Sequence, residues 1–491
     1  MAIGGFRSYF LYFAMTLLFL IGCSQKKKAA KAETTEIPKE ETADSTTLAA
    51  KVLFEAHCSG CHGQQMEAFA DRKWSHGKGY DSIKKSITEG YINDGMPSWK
   101  TLLSEKEIDN LTLYIRKGVE RVERYGVEKN TLTSDTLVTE TLTIKLDTIF
   151  SGIEVPWDLN WLPNGDMLVT ERAGRLFRVD AAGRKFIIKG VPEVRHKTQA
   201  GLFEVLPHPN FKENNFVYLS FANPKVEKND TTVTTMVRRY TLKNDQLSDD
   251  KLIFDAAPYN KRHVHFGARM LFDDDGYLFV TIGDRGERDI NPQDLSKVGG
   301  KIHRFHDDGS VPKDNPFFNS PNAVKSIYSY GHRNQQGIAF HPSTKALWEH
   351  EHGPRGGDEI NIINVGKNYG WPIISYGLNY DGTVFTNMVE KEGMESPLHN
   401  WTPSIAPCGM TFVTSNRYPG WQGNLLAGSL RFEYLNRCVL EGNKIVKEEK
   451  LFEGIGRLRN VEQGPDGYLY ISVETPGYVF KLLPLLKSKK K

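Results

Sequence analysis

Charge of one sign is what this chain most plainly lacks: 63 Lys and Arg stand against 60 Asp and Glu, a formal +3 over 491 residues. Such a balance leaves no electrostatic stripe for a polyanion, which excludes nucleic acid as an expected partner. Long apolar runs are missing as well. The one candidate, Tyr9 to Ile21, follows Arg7 and is too short for a comfortable membrane span. It ends in Leu20-Ile21-Gly22-Cys23, and a small residue before a Cys is what lipoprotein processing recognises. The expectation is a signal peptide over 1–23, with Cys23 lipidated, giving a membrane-anchored periplasmic lipoprotein of a Gram-negative-type envelope. An uncleaved anchor helix is the alternative. Large apolar residues then almost vanish from Ser24 to Ser45, and a stretch that cannot bury apolar surface does not fold. Residues 24–45 therefore read as a tether, with Lys26-Lys27-Lys28 solvated near lipid head groups.

Cysteine is scarce too, with five in the chain, and two of them fall in Cys58-Ser59-Gly60-Cys61-His62. In an exported protein this spacing points to a covalently attached c-type haem: Cys58 and Cys61 meet the vinyl groups, and His62 is the proximal iron ligand. A zinc pair or a redox Cys-x-x-Cys is disfavoured, because Cys408 and Cys438 are far away and no thioredoxin-like strand–helix pattern surrounds the motif. The distal ligand should come from a loop downstream, and Asp94-Gly95-Met96-Pro97 supplies Met96 where Gly and Pro prevent a regular helix. Met66, four residues after His62, cannot easily reach the opposite haem face and reads as a packing residue. Ser104-Glu105-Lys106-Glu107 is a capping box opening a helix with Ile108, Leu111, Ile115 and Val119 at helical spacing. Residues 46–120 thus resemble a small all-α class I cytochrome c.

A polar, Thr-rich linker is expected over 121–140, and beyond it the pattern turns to short apolar runs broken by Gly, Pro, Asn and Asp. A turn followed by a short apolar strand recurs at Pro163 to Val169, Asp274 to Val280 and Pro465 to Ile471. Weaker copies lie at Asn214 to Leu219, Ser343 to Trp348 and Gly423 to Ala427. Six copies suggest six blades of an all-β propeller over 141–486, their wide spacing implying long loops over one end. Composition alone would also suit a two-sheet sandwich.

The segment Leu271 to Phe317, with Thr281-Ile282-Gly283-Asp284-Arg285-Gly286 and Asp308-Gly309-Ser310-Val311-Pro312-Lys313-Asp314-Asn315-Pro316, resembles the soluble quinoprotein glucose dehydrogenase and aldose sugar dehydrogenase family. So does Gly331-His332-Arg333-Asn334-Gln335-Gln336-Gly337, and the likeness runs from about Ile149 to Leu483. It implies a six-bladed propeller that binds pyrroloquinoline quinone (PQQ) and calcium and oxidises the anomeric hydroxyl of a sugar to a lactone.

Chemistry and resemblance together nominate the site. Alcohol oxidation by hydride transfer to a quinone needs a base for the hydroxyl proton, for which a near-neutral His is usual. His265, in His265-Phe266-Gly267-Ala268-Arg269, matches the family's His-x-x-x-Arg segment, which also nominates Arg269; His263 is the neighbouring alternative. The quinone's three carboxylates call for several cations. Arg457 and Arg459 match the family's Arg-x-Arg motif in a strand, both side chains pointing to one face. Arg431 stands where relatives often have Lys, and Gln199 resembles the sugar-site Gln. The family's Arg-Asn pair is aligned with Glu287-Arg288, which nominates Arg288. The Gly353-Pro354 step of Glu351 to Glu359 resembles the calcium site, binding through carbonyls, with Asp358 or Glu359 supporting the loop or a second ion. Cys408 and Cys438 are either a disulfide or two buried thiols.

The expected protein passes two electrons from a sugar to its own haem one at a time, and from there to a downstream acceptor. The rival readings are a cofactor-less sugar-binding propeller with a haem sensor, and a quinoprotein dehydrogenase for a different alcohol or aldehyde.

Overall fold

The computed structural model describes residues 45–62, 74–125, 132–227, 230–379, 384–474 and 477–485; Cys23, the tether and Met66 lie outside them. Among the described residues, no helix is long and apolar enough to cross a membrane.

The N-terminal part is helical. Helix Ser45–His57 leads directly into the turn Ser59–His62, where the His62 amide donates to the Cys58 carbonyl at 3.0 Å, setting the two residues on one helical turn. The capping box forms reciprocally: Glu107 Oε2 accepts from the Ser104 amide (2.8 Å) and hydroxyl (2.6 Å), and the Glu107 amide donates back to Ser104 Oγ at 3.4 Å. The helix it opens, Glu105–Tyr125, buries Ile108, Leu111, Ile115 and Val119 against Phe54, Ile83, Ile87 and Trp99. Each such side chain contributes about 1.5–3 kcal/mol relative to exposure. This helix runs past the expected boundary at residue 120, since Arg121 to Tyr125 contains neither Gly nor Pro to stop it. The far side of the linker is shorter than expected too: Thr136–Val138 already forms a strand against Thr143–Ser151.

The rest is six antiparallel sheets. Blades 1 to 5 are four-stranded and consecutive in sequence, starting at Pro156, Leu202, Met270, Gln335 and Pro407. Blade 6 takes three strands from Leu458–Gln463, Leu469–Val473 and Tyr478–Leu485 and completes itself with Thr143–Ser151 from the start of the propeller. That pairing fastens one end of the chain to the other and removes the open edge a linear array would leave. The first strands of successive blades pack against one another in a closed ring, so they line the central axis.

The six recurrent turn-and-strand copies all become the same element. Met167–Glu171, Phe216–Glu227, Leu278–Ile282, Leu347–Glu351, Leu425–Ser429 and Leu469–Val473 are the second strands of blades 1 to 6. Second strands are covered by neighbouring blades on both faces, so most of them read as short, largely apolar runs, with Glu349, His350 and Glu351 of blade 4 the buried polar exception, whereas outer strands such as Lys444–Leu451 are mostly exposed and carry no such mark. Cys408 lies on the first strand of blade 5 and Cys438 on its third; both are buried free thiols.

Candidate active site

One end of the propeller is built from the loops that lead into the first strands and those that join second to third strands. Gln199, His265 and Arg333 come from the former; Asp284, Gly353, Arg431 and Glu474 from the latter. The blades space these loops around one mouth, so residues nearly 300 positions apart converge.

His265 sits at φ +52°, a left-handed conformation that costs free energy for a non-glycine residue and persists only where its surroundings enforce it. Two glycines make room: a Cβ on Gly267 would stand 2.7 Å from the Thr281 carbonyl, and one on Gly283 would stand 2.3 Å from that of His265. Arg285 stacks over Phe266 and donates to the carbonyls of Val264 and Arg262, fixing the segment on either side of His265. The His265 amide donates to Gln199 Oε1 at 2.8 Å, which aims Gln199 at the same spot.

The ring is oriented by Asp284, a residue of Thr281-Ile282-Gly283-Asp284-Arg285-Gly286 that local sequence gives no role. Asp284 Oδ1 lies 2.6 Å from His265 Nδ1, and its other oxygen accepts from Trp371 Nε1 at 2.9 Å. Burial alone would raise this carboxyl, but His265, Arg333 and the Gly286 amide outweigh it and hold it below the ordinary range. An ionised Asp284 therefore accepts a hydrogen bond from Nδ1–H, leaving Nε2 as the basic atom of the ring. Burial, with Arg333 adding to it, holds the imidazole below its ordinary value, so it is neutral near pH 7 and able to accept a proton. His263 has no such carboxylate at hydrogen-bond distance; its ring is buried and neither nitrogen has a hydrogen-bond partner among the described residues.

Arg333 continues the arc. Its guanidinium faces the Trp371 ring and donates to the carbonyls of His352 (2.9 Å) and Gly353 (2.7 Å), in a pocket also lined by Glu351, Glu359 and Ser375. This corrects the expected alignment of the Arg-Asn pair. Arg288 is committed to Asp289 and Asn379 and stacks on Phe385, outside that pocket, whereas Arg333-Asn334 lies in the site, with Asn334 Oδ1 accepting from the Gly267 amide at 3.2 Å. The pair itself stands in the sequence as Arg333-Asn334 within Gly331-His332-Arg333-Asn334.

Beyond Gly353 the arc closes through Asp358, which accepts from the amides of Gly353 (2.8 Å) and Ala406 (2.7 Å) and which burial pushes up to about 6. Asp358 thus supports the loop. Arg431 donates to the Ser404 carbonyl at 3.1 Å, and Arg457 to the Leu430 carbonyl at 3.0 Å. Arg457 and Arg459 do share a face, since both pair with Glu474, which burial would raise but the two guanidiniums hold well below the carboxylate range. Arg269 is a second correction. Its donors are spent on Asp158, Glu204 and the Gln336 carbonyl, and it lies flat against Trp157, so it braces the central axis instead of facing a cofactor.

Four guanidiniums on one arc suit a ligand with several carboxylates. A hard cation is suited too. The Gly353 carbonyl already faces the guanidinium of Arg333, and Pro354's accepts only a long bond, 3.4 Å, from Ser404. Behind them His332, Glu349 and Glu351 offer ligand atoms within 4.8 Å of one another. Glu349 Oε2 is buried with no hydrogen-bond partner among the described residues. Burial, then repulsion by Glu351, pushes both Glu349 and Glu359 up, the condition that an oxygen-seeking cation relieves. In the helical part, Cys58 of the Cys-x-x-Cys-His motif and Met96 pack on the same apolar cluster. Gly90, at φ +68°, closes the Met96 loop, for a Cβ there would meet the Pro97 backbone at 2.4 Å.

A six-bladed propeller with a part-exposed His seated on a buried Asp beside an arginine-rich, oxygen-rich mouth is an oxidoreductase scaffold joined to a cytochrome. Residues 153–481 match the glucose/sorbosone dehydrogenase family, and residues 46–115 match the cytochrome c oxidase cbb3-type subunit III family. The chain is 37% identical over 350 residues to aldose sugar dehydrogenase YliI of Escherichia coli, covering 70% of this chain and 93% of that one. It is 30% identical to quinoprotein glucose dehydrogenase B of Acinetobacter calcoaceticus, over 68% of this chain and 86% of the other. A solved PQQ-bound aldose sugar dehydrogenase from Streptomyces coelicolor superposes with a TM-score of 0.58 at 28% identity, covering 70% of this chain and 98% of that one. The chain therefore belongs to the glucose/sorbosone dehydrogenase family and carries an N-terminal cytochrome c domain.

Proposed function

We propose that this protein oxidises the anomeric hydroxyl of an aldose to the lactone, using PQQ and calcium, and passes the electrons to its own covalent haem c. The observation that carries this reading is the His265–Asp284 pair set within the cation arc. Bound PQQ would supply the two-electron acceptor for the C1 hydride. His265 takes the hydroxyl proton on Nε2, Asp284 accepts the hydrogen bond of Nδ1–H and stabilises the imidazolium, and Gln199 borders the sugar. Arg333, Arg431, Arg457 and Arg459 would hold the quinone's carboxylates, with Gly353, Pro354 and the neighbouring glutamates holding calcium. Cys58 and Cys61 anchor the haem, and His62 and Met96 ligate its iron. Cys23 carries the lipid that keeps the protein at the periplasmic face of a membrane, where a soluble cytochrome or a respiratory component takes the electrons onward. A lipid adduct on the Cys23 peptide that is absent from Cys23→Ser, read by mass spectrometry, is the expected sign of that anchor.

The deciding experiment follows haem absorbance by stopped flow in protein reconstituted with quinone and calcium, against aldoses, polyols and aldehydes. Aldoses should reduce the haem, chelation should abolish the reduction, and added calcium should restore it. Full activity in metal-free protein without quinone would sink the reading. In the same protein, Met96→Ala should lose the low-spin, methionine-ligated spectrum.

A further inference from the structure

The cytochrome touches the propeller through the loop that carries Met96, and it does so at the mouth of the site. The His263 amide donates to the Asn93 carbonyl at 2.8 Å. The Asp94 carboxylate accepts from the Thr198 hydroxyl at 3.3 Å and lies 3.2 Å from Lys197 Nζ and 3.9 Å from His263 Nδ1, with His76 of its own domain 3.6 Å away. Gly95, at φ +86°, packs so closely that a Cβ would stand 2.9 Å from Val264 Cγ1. The propeller segments involved are the immediate neighbours of Gln199 and His265. Thr198 is itself held at φ +54°, costly for a β-branched residue, a conformation set within the propeller's own turn.

We infer that Asp94 is the docking residue that registers the methionine side of the haem against the quinone end of the propeller, making the Asn93–Gly95 loop the electron-transfer interface. This rests on the proposed passage of electrons from quinone to haem. A carboxylate seated beside Lys197, with Arg195 also near His263, is electrostatically complementary to that rim, and the covalent link between the domains supplies the high effective concentration that lets a small contact suffice.

The test uses the full-length holoprotein. A zero-length carbodiimide should couple Asp94 to Lys197 in the unmodified protein, as read by peptide mapping, whether or not sugar is oxidised. Asp94→Lys should leave the haem spectrum and the sugar-driven reduction of a small dye within twofold of the parent, while slowing sugar-driven haem reduction at least tenfold. Combining Asp94→Lys with Lys197→Asp should recover most of the lost rate, which a general weakening of the fold would not allow. Haem reduction at the parent rate in Asp94→Lys, or absence of the cross-link, overturns the inference. Failure of sugar to reduce dye in the parent would instead overturn the proposed function, with the cross-link still deciding the dock.

Discussion

Replacing His265 with Gln should slow quinone reduction by sugar about two to four orders of magnitude, the usual worth of a positioned general base. Gln can still donate a hydrogen bond to Asp284 and fill much of the same space, so the left-handed turn and its glycine neighbours stay in place. What it cannot do is accept a proton. Quinone and calcium should remain bound, because no cation of the arc is touched. Electron flow onward should also survive: chemically reduced quinone in this variant should reduce the haem at close to the parent rate, since the cytochrome loop docks through Asn93 and Asp94 to His263 and Lys197. A variant that oxidises sugar normally would move the base to His263. The geometry argues against that, because His263 lies against the cytochrome without a carboxylate at hydrogen-bond distance. Loss of quinone altogether would make His265 structural.

Much of this architecture was legible in the chain because it rests on local patterns. A second strand buried on both faces starts on large apolar residues and follows a tight turn, so six blades left six marks at Pro163, Asn214, Asp274, Ser343, Gly423 and Pro465. The capping box and the spacing from Ile108 to Val119 likewise depend on neighbours in sequence. Relations across blades were harder. Asp284 is 19 residues from His265, and nothing in Ile282-Gly283-Asp284 says that its carboxylate will meet that ring; the meeting requires the loop between the second and third strands of blade 3 to fold over the start of its first. Arg269 looked like a ligand because it shares a motif with His265. Four residues along the chain it has instead turned toward the axis, where Asp158 and Glu204 take up its charge. The docking of Asp94 on Lys197 joins two domains whose patterns have nothing in common, so only the fold reveals it.

Asp284→Asn should be nearly as damaging as loss of the base itself, with a pH signature that separates orientation from mere structure. The carboxylate does two things for His265: it fixes which nitrogen carries the proton, and it favours the imidazolium that forms as the substrate hydroxyl is deprotonated. An amide there keeps the shape and can keep its bond to Trp371, but it offers no charge and can turn its NH2 toward the ring, trapping the wrong tautomer. The rate of quinone reduction should fall by about 10²- to 10⁴-fold. The sign of the pH effect follows from the groups around the ring. In the parent, burial and then Arg333 lower the pKa of His265 beneath the ordinary 6.5 while Asp284 opposes them, so the acid limb of kcat/KM should lie below that value. Removing Asp284 removes the opposing charge, and the residual activity should show its acid limb at still lower pH. Quinone affinity should change by only a few-fold, because Arg333, Arg431, Arg457 and Arg459 are intact. An acid limb that moves upward, or a rate within tenfold of the parent, would mean that Asp284 serves the fold through Trp371 and Gly286 and not the proton transfer.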